Sequence, residues 1–187
     1  SRWAGTARLD LSGRRTVELA LRAREGRYSL SGWLAPSPFL KGKQARLTAP
    51  RVRVGATATL EDRRLDGRLS LLSPALRIES RGIIDLATSS FDDVRIAADL
   101  LRPPALFPNM TGQGVRATAL FNGPFRTANF AYRITSPRIA FDDTGFEDVR
   151  AEGRGRLSAA PVSVPVLVTA RRGTGVSPIS ASRACSR

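Results

Sequence analysis

The chain has no histidine, one cysteine, one methionine and two lysines among its 187 residues. Without histidine it lacks the commonest general base, metal ligand and physiological pH switch. The single Cys185, in a Ser/Arg-rich tail, allows no disulfide framework and no thiolate metal site. No stretch approaches the roughly 18 uninterrupted apolar residues of a membrane-spanning helix, so none is expected. Aromatic residues make up only 6% of the chain, too sparse to interleave with the basic residues as in a nucleic-acid reader. These absences lead us to expect no enzyme, no cofactor, no metal and no nucleic-acid partner.

What remains is ordinary for a folded chain. Hydrophobic residues are 42% and charged residues 25%, far from the profile of disorder. The length suits one domain or part of one. The chain starts at Ser1 and a strand-like pattern begins within the first ten residues. We therefore expect a segment of a larger protein. The formal charge is +14, from 30 Lys+Arg against 16 Asp+Glu.

The dominant signal is period-two alternation. Val17, Leu19, Leu21 and Ala23 alternate with Glu18, Ala20, Arg22 and Arg24. Successive strand side chains point to opposite faces, so such a run builds one apolar face and one wet face. The pattern returns at Val52, Val54, Ala56, Ala58 and Leu60, at Val94, Ile96, Ala98 and Leu100, at Val115, Ala117, Ala119 and Phe121, and at Ala128, Phe130, Tyr132 and Ile134. The other face would carry Arg22, Arg24, Arg51, Arg53, Arg77, Arg95, Arg116, Arg133, Arg150 and Arg154. The turn signals are Ser12-Gly13, Glu25-Gly26, Asp66-Gly67, Asn122-Gly123-Pro124 and Thr144-Gly145. They leave no room for the crossovers that parallel strands need, which predicts successive antiparallel hairpins. No segment sustains a 3.6-residue apolar period, so no long helix is expected.

Residues 35–40 and 102–108 hold too many prolines for central strands and read as loops or short helical turns with apolar tips. Beyond about Ala170 the alternation gives way to a Ser/Arg-rich tail, 171–187, expected to be disordered. A weak repeat is visible. Leu47-Thr48-Ala49-Pro50-Arg51-Val52, Leu72-Ser73-Pro74-Ala75-Leu76 and Ile134-Thr135-Ser136-Pro137-Arg138-Ile139 each pair a small residue with proline, as if joining two strands. Phe91-Asp92-Asp93-Val94-Arg95 returns as Phe146-Glu147-Asp148-Val149-Arg150. Repeats of this kind suggest a stack in which each unit meets mainly its neighbours.

Two chemical motifs are weighed and set aside. Gly112-Gln113-Gly114-Val115-Arg116-Ala117 matches a dinucleotide fingerprint in letters, but the alternation after it is a strand where that fingerprint needs a helix. Asp92-Asp93, Asp142-Asp143 and Glu147-Asp148 lack a calcium-loop spacing and read as turn formers.

The small-Pro joints, the two Phe-acid-Asp-Val-Arg phrases and runs such as Leu65-Asp66-Gly67-Arg68-Leu69-Ser70-Leu71 resemble the repeating β-groove proteins of Gram-negative envelopes, the TamB, YdbH and AsmA-like group. The resemblance spans roughly residues 5–170. It implies an all-β fold over residues 1–170: an elongated, twisted, open antiparallel sheet of repeated hairpins curved into a U-shaped apolar groove. It implies a periplasmic protein anchored in the inner membrane through regions outside this chain, which also meet inner- and outer-membrane components. Its partners would be phospholipid acyl chains, shielded in the groove on their way between membranes. The expected groove wall is Val17, Leu19, Leu21, Val52, Val54, Val94, Ile96, Val115, Phe121, Phe130, Tyr132 and Ile134. An alternative within the group is an assembly module assisting outer-membrane β-barrel proteins. By pattern alone, alternating strands more often form half of a closed sandwich than a ligand groove.

Overall fold

A computed structural model of the chain describes residues 2–11, 14–36, 39–158 and 166–172. They form one open antiparallel sheet of twelve strands. The strands are β1 (Arg2–Leu11), β2 (Arg14–Arg24), β3 (Arg27–Leu34), β4 (Val52–Glu61), β5 (Arg64–Leu72), β6 (Leu76–Asp85), β7 (Ser90–Leu100), β8 (Met110–Gln113), β9 (Val115–Pro124), β10 (Asn129–Phe141), β11 (Thr144–Arg156) and β12 (Leu167–Arg172). Of two short helices, α1 (Gly42–Thr48) follows the proline-rich interruption after β3, and α2 (Pro103–Leu106) lies within the one after β7. Strands follow one another across the sheet in chain order, with β8 beside the far half of β10.

β8 and β9 act as one bent strand. Gln113 pairs with Arg138 and Arg116 with Thr135, so the register along β10 is continuous through the break. Pro137 lies in that gap. Having no N–H, it cannot complete a ladder rung, and Gly114, with φ 61, bends the partner strand away from it. A Cβ at Gly114 would stand 3.2 Å from the Pro137 Cδ.

The repeated phrases are repeated geometry. Asp93 and Asp148, the second acidic residue of each, have φ of 50 and 49, and the sheet register shifts beside both. Aspartate tolerates the left-handed region better than most residues. These bulges hold Phe91 and Val94 on one face although they are three residues apart.

Several expected joints move. The turn between β4 and β5 is Asp62-Arg63, with φ of 46 and 63, while Asp66-Gly67 sits inside β5. Two left-handed residues suffice for a tight hairpin, so the glycine is not needed there. Thr144-Gly145 opens β11, and Asp142 with φ 49 makes the turn before it. Asn122-Gly123-Pro124 closes β9 rather than forming the turn. Glu25-Gly26 does form one, with φ of 50 and 75. Ser12-Gly13 lies outside the described residues. Among the small-Pro phrases only Ser73-Pro74 joins two strands. Ala49-Pro50 follows α1, and Ser136-Pro137 lies within β10. Arg171 and Arg172 belong to β12, two residues past the expected boundary; the rest of the tail lies outside the described residues.

Burial is confined. Nine described residues are buried: Thr16, Val52, Val54, Ser73, Ala75, Pro103, Met110, Ala128 and Ser136. All but Ala128 lie at the sheet end that carries α1, α2 and β8. There Arg46 of α1 donates from Nε to the Ala105 carbonyl at 3.1 Å, Lys43 sits 3.9 Å above the Phe107 ring, and Phe107 meets Phe141 edge-on at 6.1 Å. No large side chain is fully buried among the described residues. Among the described residues this is a single layer with a small packed end and no second sheet.

Candidate functional site

The registers bring the twelve expected wall positions to one face, in four levels of three. Val17 pairs through Leu34 to Val52, and at the same level Leu76 pairs through Leu100 to Val115. Leu19 continues through Gly32, Val54, Leu71, Ile78, Ala98 and Ala117 to Ile134 and Val168. Leu21 continues through Leu30, Ala56, Leu69, Ser80, Ile96 and Ala119 to Tyr132. Val94, Phe121 and Phe130 form the fourth level. With neighbouring strands about 4.8 Å apart, a row crossing eleven strands runs roughly 48 Å.

Phe91 and Phe125 belong to this face and the alternation does not show them. Phe125 lies 4.7 Å from Phe91, Phe91 lies 6.1 Å from Phe121, and Phe121 stacks on Phe130 at 5.7 Å. The bulge at Asp93 breaks the period-two count that would have found Phe91; its recurring phrase was the available signal.

Over the middle of the sheet no described residue covers this face. Leu69 is 37% exposed and Ile134 38%, with Trp3, Leu9, Tyr28, Leu60 and Val168 also exposed on it. Their positions span β1 to β12. Contiguous apolar surface on a soluble monomer is usually limited to a few hundred square ångströms.

The opposite face is hydrophilic and holds an open recess of about 1280 Å³. Its border takes three consecutive residues from each of eight strands, such as Ser29-Leu30-Ser31, Gly55-Ala56-Thr57, Arg68-Leu69-Ser70 and Arg95-Ile96-Ala97. The outer two of each triplet point to the hydrophilic face, and only the middle residue belongs to the apolar one. Val54, Leu71, Ile78 and Ile134, which would wall a recess on the apolar side, take no part in it. Of the twelve expected positions, Ile96 and Tyr132 alone border the recess.

Part of the hydrophilic face neutralises itself. Arg8 pairs with Glu18 at 3.6 Å, Arg64 with Asp92 at 2.6 Å, Arg116 with Asp99 at 3.6 Å and Arg133 with Glu152 at 3.2 Å. Hydrogen bonding from Arg150, seconded by Arg133, holds the Glu152 carboxyl below the usual glutamate range. The Asp85 carboxyl is lowered chiefly by the Thr88 backbone N–H at the β6–β7 turn. Of the arginines expected here, Arg51 lies just before β4, 4.3 Å above the ring of Trp33, which is in register with Glu18 and Arg53 of this face. Among the described residues no group of three or more His, Cys, Asp or Glu could hold a metal. No described helix is long and apolar enough to cross a membrane. No protein-family model, curated protein or solved structure matches the chain.

Proposed function

We propose that this chain is a segment of a periplasm-spanning lipid-transfer protein. Its apolar face forms one wall of a groove that shields phospholipid acyl chains between the inner and outer membranes, and flanking parts of the full-length protein complete that groove and anchor it. One observation carries the reading: a continuous apolar face reaching from β1 to β12, buried at the helical end by Val52 and Val54 but with large side chains from Trp3 to Val168 left exposed among the described residues. Acyl chains offer no hydrogen bonds and ask only for continuous apolar wall. Burying a methylene is worth roughly 0.8 kcal/mol in either environment, so moving a tail from bilayer to groove is close to neutral and the lipid stays mobile. Aliphatic Val, Leu and Ile positions with few polar interruptions suit such an occupant.

A second reading, an assembly module for outer-membrane β-barrel proteins, draws on the free edges of β1 and β12, which can accept an incoming strand by main-chain hydrogen bonds. The two differ in where the client sits. A phospholipid bearing a photoreactive group within its acyl tail should label cross-linking positions Ile96 and Phe130 in the full-length protein and leave Thr57 and Arg133 unlabelled. Ile96→Asp should abolish lipid transfer with β content retained. Equal labelling of both faces, or none at either, sinks the lipid reading; cross-links to barrel precursors confined to β1 or β12 would establish the second.

A further inference from the structure

Three arginines of the recess stand in direct register. Arg68 on β5 is opposite Arg81 on β6, and Arg81 is opposite Arg95 on β7. Side chains directly opposite on one face lie about 5 Å apart, and like charges so placed destabilise a sheet. Other arginines of this face, Arg8, Arg64, Arg116 and Arg133, each have an acid within reach. Here none of the three makes an ion pair or a side-chain hydrogen bond among the described residues. Glu79, two residues from Arg81, also borders the recess without an ion pair, and Glu152 is already held by Arg133 and Arg150. Six arginines border the recess against two glutamates. A second like-charge row, Arg2, Arg24 and Arg27, lies toward the β1 edge, where Glu25 pairs with Arg24 at 3.8 Å.

The geometry points to Arg68, Arg81 and Arg95 as a binding site for an anion carrying more than one phosphate. The guanidinium fork matches phosphate oxygens two at a time, and three forks side by side present more donors than one phosphate can use. Small neighbours, Thr57, Ser70 and Ala97, keep the recess open beside them. Bound phosphates would relieve the repulsion that the fold leaves uncompensated. A row that only solvated the surface would gain nothing from this alignment. The site lies on the face opposite the acyl-chain wall and does not depend on that reading.

The test is calorimetric titration of the chain with sodium tripolyphosphate at low and physiological salt. Binding should weaken with salt, and Arg81→Gln should lower affinity at least tenfold. Arg138→Gln removes the same charge from outside the recess and should change it less than twofold. The Tm of Arg81→Gln should be unchanged or higher, since a like-charge contact is removed; a structural role would lower it. The same variants are then compared on phosphatidylcholine vesicles with and without cardiolipin, whose headgroup carries two phosphates. Loss of the cardiolipin-dependent binding in Arg81→Gln places the phosphates on a lipid headgroup, whereas an effect confined to tripolyphosphate places them on a soluble ligand. Equal weakening by Arg81→Gln and Arg138→Gln, absence of tripolyphosphate binding, or a lowered Tm in Arg81→Gln overturns the proposal.

Discussion

The sheet end that carries α1, α2 and β8 and the open middle of the sheet are made from the same alternating strands, yet only the end has a core. Val54 and Leu71 are directly opposite on the apolar face. Val54, toward the helical end, is 6% exposed, while Leu69, two residues on from Leu71, is 37% exposed. The difference lies in what the chain folds over them. The proline-rich interruptions supply two helical turns and a short strand at one end, and nothing in the described chain does so over the middle. An apolar face is thus a structural core in one place and, among the described residues, a partly exposed surface in the other.

The largest effects should separate these regions. Met110 is 3% exposed beside α2 and opposite Phe141, and Met110→Ala should cost about 2–4 kcal/mol through lost burial and the cavity left behind. Leu69→Ala should cost less than about 1 kcal/mol, because its side chain is already partly in water. Denaturant titrations of the two variants make the comparison. Equal losses would mean that the middle is covered after all.

A smaller effect tests the polar side of the same contrast. The buried Ser136 hydroxyl lies within hydrogen-bond reach of the Gln113 and Arg138 carbonyls, at 3.0 and 2.9 Å. It ties β8 to β10 where Pro137 interrupts the ladder. Ser136→Ala should cost about 1–2 kcal/mol, since buried acceptors lose their donor. Ser70 donates to the Gly55 carbonyl at 3.3 Å in the open recess, where water replaces a lost partner. Ser70→Ala should therefore stay within about 0.5 kcal/mol. Thermal melts of both variants would show the ordering, and a reversed order would place the packing elsewhere.

The strands and the shared face were legible because they rest on local alternation. Val17, Leu19 and Leu21 announce their own strand, and antiparallel neighbours in chain order carry the parity onward. The turns were less legible where glycine misled. Gly67 sits in mid-strand, and Asp62-Arg63 turns without glycine, because left-handed backbone at two ordinary residues leaves no mark in a pattern of polarity. Phe91 was hidden by the bulge at Asp93, which shifts the count by one. The recess and its arginine row were not legible at all. Arg68, Arg81 and Arg95 meet only through the pairing of three strands, a long-range register that no window of sequence contains.

The smallest expected effect is a pH dependence confined to the open middle. The residues packed at the helical end, Val52, Val54, Ala75, Met110, Ser73 and Ser136, do not titrate, whereas the middle is cross-linked across its hydrophilic face by ion pairs. Glu152 joins β11 to β10 through Arg133 at 3.2 Å and to its own strand through Arg150 at 2.9 Å. The Arg150 hydrogen bond is the chief cause of its lowered carboxyl pKa. A carboxyl whose folded-state pKa lies below its unfolded one contributes stability that is fully present above the unfolded value and is lost as pH falls through the folded one. The unfolded value is about 4.3, so this contribution is constant from pH 6 upward and fades below about pH 4. Exposed ion pairs are weak and screened by salt, so the loss should be small and smaller still in high salt. Hydrogen-exchange protection factors, corrected for intrinsic rates, should fall on β10 and β11 around Arg133 and Glu152 between pH 6 and pH 3. Those of Val52 and Val54 should hold until the whole sheet opens. Glu152→Gln should lower protection at pH 6 and match the parent at pH 3. A variant that keeps the parent's full acid response would assign it to other carboxylates, Asp85 first among them, since its Thr88 and Ala87 backbone bonds lower it in the same sense.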